Sequence, residues 1–185
     1  MNAWPCFDSA QMNSVRAARE RAADLITRYY RVAPREWHKM PYEVRTLRAL
    51  DSSEIADNAL AQTLCYSVRR EAGPLVLEEG DLYRICLQDH RILDAARETR
   101  TQLKAVLTYV LTHELVHVVR FGQRLQAIDL PHELRPHEEL KVEKTTRAIL
   151  AQTDDPEINR ILSSKPADPH TLMDFANKPL PGPFN

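Results

Sequence analysis

Residues 101–122 read TQLKAVLTYVLTHELVHVVRFG and carry apolar side chains at helical spacing. The apolar positions that recur every three or four residues are Leu103, Val106, Leu107, Val110, Leu111, Leu115 and Val118. Gly122 follows the last of them, and glycine commonly ends helices. The pattern predicts a buried helix from Thr101 to about Phe121.

Polar residues interrupt this apolar helix as His113-Glu114-Leu115-Val116-His117. Two histidines four residues apart project from the same helix face, so both rings can reach one Zn²⁺ at about 2.0–2.1 Å. Glu114 would lie about 100° around the helix from His113, where it can accept a proton from a water beside the metal. Because polar groups are costly inside so apolar a helix, we favour a metal site over two satisfied core histidines.

A catalytic zinc site needs a third protein ligand, and the next predicted helix offers two candidates. That helix begins after Pro136 and continues to about Ala151. Its apolar face is formed by Val142, Thr146, Ile149 and Leu150. Steps of about 100° place Glu139 near the centre of this face and Glu143 about 40° to one side.

The choice between the two glutamates depends on what lies one helical turn further on. If Glu139 binds the metal, Glu143 can accept the second ring N–H of a ligand histidine. If Glu143 binds it, the residue one turn on is Arg147, which can only donate. We therefore expect Glu139 to be the ligand and Glu143 to support a histidine, and the reverse assignment remains the alternative.

The two segments together resemble the gluzincin metallopeptidases, in which His-Glu-x-x-His is followed by a glutamate ligand on the next helix. The matching residues are His113–His117 and Glu139-Leu140-Lys141-Val142-Glu143. Their spacing is similar to that of ImmA/IrrE-type peptidases, and the match covers roughly Leu103 to Ala151. The resemblance implies a zinc peptidase fold with an active-site helix, a ligand helix and a small upstream sheet.

Upstream of this region the sequence predicts two helices and one hairpin. The first helix runs from Ser9 to about Arg31. The second runs from Ser52 to about Arg70, with Asp51 and Glu54 as a capping pair. In the hairpin, Leu75–Leu77 and Leu82–Leu87 flank a turn at Glu78–Asp81.

The second hairpin strand, Leu82 to Gln88, is the candidate peptide-binding element. In zincins generally, an edge strand that precedes the active-site helix binds an extended peptide by strand addition, because its free amides and carbonyls pair with the substrate backbone. The alternative is an ordinary strand without a ligand.

The domain prediction is a single unit over residues 1–163, with N-terminal helices over 9–70 and a catalytic core over 74–151. Prolines from Pro156 onward argue against regular structure, and residues 164–185 are expected to form an extended, proline-rich tail. This tail carries Asp168, His170 and Asp174, and Cys6 lies near the other terminus. Any of these could cap the zinc in a latent form, although a packed or mobile tail is the alternative.

Composition limits the class of protein. Four glycines against twelve prolines favour a helix-dominated α+β fold. Lys and Arg number 25 against 26 Asp and Glu, and a net charge of −1 argues against a general nucleic-acid binder. Neither a signal peptide nor a membrane span is expected, and the three cysteines have no paired spacing, so we expect a cytoplasmic location.

The leading hypothesis is a zinc-dependent metallopeptidase in which Glu114 is the general base for a metal-activated water. His132 and His137, between the two ligand helices, are candidate hydrogen-bond donors to the oxyanion. One alternative is a catalytically inactive, zincin-like zinc module with a regulatory or binding role. Another is a helical interaction protein in which the histidine pair is structural.

Overall fold

The computed structural model describes residues 4–56, 58–72, 75–128 and 130–163. Its α-helices are α1 Ser9–Tyr30, α2 Pro34–Trp37, α3 Asp89–Thr99, α4 Leu103–Gly122, α5 Arg135–Leu150 and α6 Pro156–Ser163. Its strands are β1 Tyr42–Arg45, β2 Ala61–Ala72 and β3 Leu75–Leu87. Short 3₁₀ turns lie at Leu47–Ala49, Ser52–Glu54 and His132–Leu134. The architecture is α+β and dominated by helices, as predicted, with one small sheet.

Helix α4 is the central element of the core. Every residue from Ala105 to Val119 is buried, which explains why its sequence is apolar nearly all round. On one side α4 packs against α1, where Ala18 and Ala22 are fully buried, and α5 packs against it as well. Although α4 is apolar, no helix in the described ranges combines the length and hydropathy needed to cross a bilayer.

Three of the predicted helices, α1, α4 and α5, are confirmed. Helix α1 begins where Asp8 and Gln11 cap each other, with Asp8 Oδ1 accepting from the Gln11 amide at 2.8 Å. It ends at Arg31, whose φ of 53° is left-handed and stops the helix. Helices α4 and α5 begin and end within about two residues of the predicted positions.

The sheet has the order β1-β3-β2, so β3 is its central strand. Strand β1 runs parallel to β3, with Tyr42 opposite Tyr83. Strand β2 runs antiparallel to β3, with Thr63 opposite Ile85. Both β2 and β3 contact α4, so the sheet lies against the helix that carries the two histidines.

The predicted helix from Ser52 to Arg70 is wrong. Its capping pair exists, since Glu54 Oε2 accepts from the Asp51 amide at 3.0 Å, but it caps only the turn at Ser52–Glu54. Residues 61–72 form β2 instead. The antiparallel ladder with β3 provides their backbone hydrogen bonds, and Thr63 and Cys65, two residues apart, are both buried.

The predicted turn at Glu78–Asp81 is also wrong, because β3 continues through it and pairs with β2, Ser67 opposite Asp81. Residues 73 and 74, between the strands, lie outside the described residues. Leu82 to Gln88 is therefore not an edge strand. Residues 83–86 are paired with β1 on one side and β2 on the other, which leaves no free backbone there for a peptide.

The C-terminal prediction is wrong for residues 156–163, which form α6. Pro156 is tolerated in the first helical turn, where its missing amide has no partner to lose, and Asp155 Oδ1 accepts from the Glu157 amide at 2.9 Å. Helix α3 was not predicted at all. The proposed tail over 164–185, with Asp168, His170 and Asp174, lies outside the described residues.

Candidate metal centre

Helices α4 and α5 bring His113, His117 and Glu139 together. The Nε2 atoms of His113 and His117 lie 3.2 Å apart. Glu139 Oε2 is 3.4 Å from His113 Nε2, and Glu139 Oε1 is 3.4 Å from His117 Nε2. His117 is fully buried and His113 is 3% exposed, so this cluster of three polar groups lies inside the protein.

Each of these distances is close to the separation of two ligands on one tetrahedral ion, although the two distances to Glu139 go to different oxygens of its carboxylate. Two ligand atoms that each lie about 2.0–2.1 Å from a metal, at a tetrahedral angle, are separated by about 3.3 Å. Two imidazole nitrogens and one carboxylate oxygen form a donor set that catalytic zinc takes in proteins. Within the described ranges, these three side chains form a group in which one possible ligand atom from each lies within 4.8 Å of the other two.

The electrostatics of the cluster also favour a cation. Burial alone would lower the pKa of His113, but the carboxylates of Glu139 and Glu143 outweigh it and raise that pKa to about 9. Burial alone would raise the pKa of Glu139, but hydrogen bonding to both histidines lowers it to about 2. Without a metal, the neighbouring carboxylates thus favour a protonated His113, and a metal ion can take the place of that proton.

Glu143 lies behind His113, at the position expected of a supporting carboxylate. Its Oε2 accepts from the Tyr109 hydroxyl at 2.6 Å and lies 3.6 Å from His113 Nδ1. Its Oε1 lies 3.5 Å from Arg147 Nη1. Burial would raise the pKa of Glu143, but the contacts with His113 and Tyr109 lower it, so it stays ionised and can orient the imidazole.

Glu114 is almost completely buried beside the two histidines, with 1% exposure. The Thr63 hydroxyl donates to its Oε2 at 2.6 Å. Its Oε1 is buried and has no hydrogen-bond partner in the part of the chain that the structure describes. Burial raises the pKa of Glu114 above its ordinary value, which suits a group that must take up and then release a proton.

A cavity of about 800 Å³ lies at the C-terminal end of α4, and none of His113, His117, Glu139 and Glu114 lines it. Phe121 and Tyr83 line it, and their rings stack with centroids 6.0 Å apart. Phe121 also stacks on His117, at 5.9 Å. Phe121 is thus the residue that lies between this cavity and His117.

The other sequence candidates are not part of this cluster. His132 and His137 are exposed near the start of α5, and the structure records no hydrogen bond from either to the three ligand residues. Their role as oxyanion donors stays a prediction. Cys6 is half-buried, and its thiol donates to the Trp4 carbonyl at 3.7 Å.

Sequence reasoning missed two residues of the site. Tyr109 lies one helical turn before His113, a spacing that could have revealed it. Thr63 had no such signal, because it lies 51 residues from Glu114 and was assigned to a helix that does not exist.

Comparisons of the chain with protein-family models, with curated proteins and with solved structures found no match. The function proposed below is therefore inferred from the site itself.

Proposed function

We propose that this protein is a zinc-dependent metallopeptidase, with His113, His117 and Glu139 as the metal ligands and Glu114 as the general base. The observation that carries this proposal is the set of three ligand-atom separations, 3.2, 3.4 and 3.4 Å, next to a buried glutamate. A bound Zn²⁺ would polarise the scissile carbonyl and lower the pKa of a water.

The chain's own residues supply the proton transfers. Glu114 accepts a proton from the water as the water oxygen attacks the peptide carbonyl carbon. It then delivers this proton to the amine nitrogen as the C–N bond breaks. Glu143 Oε2 lies 3.6 Å from His113 Nδ1, from where its charge would favour the ring orientation in which Nε2 faces the metal.

The substrate peptide is expected along β2 rather than β3. In the described residues β2 pairs with β3 on one side only, so its outer edge is free to add an extended peptide. Thr63 on β2 contacts Glu114, which places this edge next to the general base. Strand addition thus remains the proposed binding mode, on a different strand from the one first expected.

The first test is metal content and peptide hydrolysis of the full chain. We expect about one zinc per chain after purification without chelator, and cleavage of a general peptide library. Because two histidines and one carboxylate also suit Fe(II), the metal analysis should quantify iron, manganese and cobalt as well.

The matched control is Glu114→Gln, which keeps the size of the side chain but removes the base. It should retain zinc and lose activity by at least about a hundredfold. A zinc-loaded wild type without activity would favour a zinc-binding regulatory module. A wild type without metal would favour an interaction protein with a structural histidine pair.

A further inference from the structure

Thr63 is the residue through which the sheet contacts the general base. It lies in β2 opposite Ile85 of β3, and its side chain is 6% exposed. Its hydroxyl donates to Glu114 Oε2 at 2.6 Å, a length typical of a strong O–H···O⁻ bond. Nothing about a strand threonine requires this contact, since many other side chains would fill a buried position in β2 equally well.

The bond makes the two oxygens of Glu114 different. Oε2 is occupied by Thr63, whereas Oε1 is buried and has no hydrogen-bond partner among the described residues. The terminal torsion of a glutamate is soft, so an unheld carboxylate can rotate and exchange its two oxygens. The bond from Thr63 removes this freedom.

We propose that Thr63 is a positioning residue that fixes the Glu114 carboxylate so that Oε1 is the oxygen that exchanges protons. This inference rests on the proposed peptidase function. Oε2 can accept from Thr63 both when Glu114 is ionised and when Oε1 carries a proton, so the bond persists through the reaction. The base therefore does not need to reorient between taking the proton from water and giving it to the amine.

The experiment compares Thr63→Val, which removes the hydroxyl but keeps the shape, with Thr63→Ser, which keeps the hydroxyl. Thr108→Val is the control for loss of a buried hydroxyl, because the Thr108 hydroxyl donates only within its own helix, to the Lys104 carbonyl at 2.7 Å. Thr63→Ala also lacks the hydroxyl and serves in its place if the valine variant does not fold.

Two readouts are taken on the full chain. The first is kcat and KM on a peptide substrate. The second does not require turnover: acetohydroxamate is titrated into cobalt-substituted protein and followed by the cobalt d–d absorption. A hydroxamate binds the metal through its two oxygens and shares its hydroxyl proton with a neighbouring carboxylate, so its affinity reports how that carboxylate is held.

We expect Thr63→Val to bind metal one to one, as the wild type does. Its kcat should fall about 10–100-fold with little change in KM, and its acetohydroxamate affinity should fall by at least about tenfold. Thr63→Ser should restore both values to near those of the wild type, and Thr108→Val should change neither.

The role of Thr63 would be overturned if Thr63→Val bound acetohydroxamate as tightly as the wild type does. It would also be overturned if Thr63→Ser did not restore kcat and acetohydroxamate affinity. Neither result would contradict the proposed metal centre. A wild type that binds neither cobalt nor acetohydroxamate would overturn the proposed function and this inference together. The two failures are therefore distinguishable.

Discussion

Glu139 and Glu143 lie one turn apart on α5 and contact the same histidine through different ring nitrogens. Glu139 faces Nε2 of His113 and of His117, whereas Glu143 faces Nδ1 of His113. Only Glu139 therefore has access to a metal shared by both histidines. In the proposed site, Glu143 would act on the metal indirectly, by orienting one of its ligands.

The corresponding variants should separate these roles. Glu139→Ala is expected to abolish zinc binding, because two histidines alone do not make a stable site. Glu143→Ala should retain zinc with affinity weakened by about 10–100-fold. Competition with a chromophoric chelator measures both constants, and a stronger effect from Glu143→Ala would show that the two assignments are reversed.

At the scale of elements, local signals predicted the three long helices α1, α4 and α5 and the strand character of β3, but missed α3, α6 and β2. The histidines and Glu139 lie on helices, where spacings of three and four residues place side chains on one face. The predicted ligand positions follow from that local geometry. Strand β2 has no comparable signal, since its conformation depends on pairing with β3 and on packing against α4, contacts that the sequence does not reveal.

The capping pair of Asp51 and Glu54 illustrates the same limit. The pair predicts the start of a helix, whereas in the structure Glu54 joins the turn at Ser52–Glu54 to the sheet. Glu54 Oε1 accepts from the Tyr66 hydroxyl on β2 and from Arg84 Nη1 on β3, both at 2.6 Å. Arg84 also donates to Glu43 on β1, so this buried cluster connects all three strands.

This cluster predicts a pH-dependent contribution to stability. Burial alone would raise the pKa of Glu54, but the hydrogen bonds from Tyr66 and Arg84 lower it below its unfolded value of about 4.5. A carboxylate whose pKa is lower in the folded than in the unfolded state stabilises the protein at pH values above its unfolded pKa. This contribution is lost as the pH falls through the folded pKa. At pH 7, Glu54→Gln should therefore reduce the free energy of unfolding by about 2 kcal/mol.

Urea denaturation at about pH 7 and about pH 3 measures this contribution. The difference between wild type and Glu54→Gln should shrink at the lower pH. Glu98→Gln, at an exposed position of α3, is the control and should match the wild type at both. An equal difference at both pH values would mean that the Glu54 charge does not stabilise the fold.

At the scale of the whole molecule, the candidate metal centre is where three parts of the fold converge. Helix α4 carries the histidines and Glu114, the proposed base, α5 carries Glu139, the proposed third ligand, and β2 contacts Glu114 through Thr63. All of these groups except the partly exposed Glu139 are buried, and the folded protein holds them at close range. Ligands preorganised in this way bind a metal in the folded state and not in the unfolded one, which links zinc affinity to global stability.

Removal of zinc should therefore lower the melting temperature of the whole chain. With free zinc at about a thousand times its Kd, binding adds about 4 kcal/mol to the free energy of unfolding. For a chain of this size that corresponds to a rise in Tm of about 10 °C. Calorimetry with and without chelator measures the shift, and added zinc should reverse it. Glu139→Ala lacks the third ligand, so its Tm should respond to neither chelator nor zinc. A wild-type Tm that is the same in chelator and in zinc would show that the three side chains do not bind this ion in the folded protein.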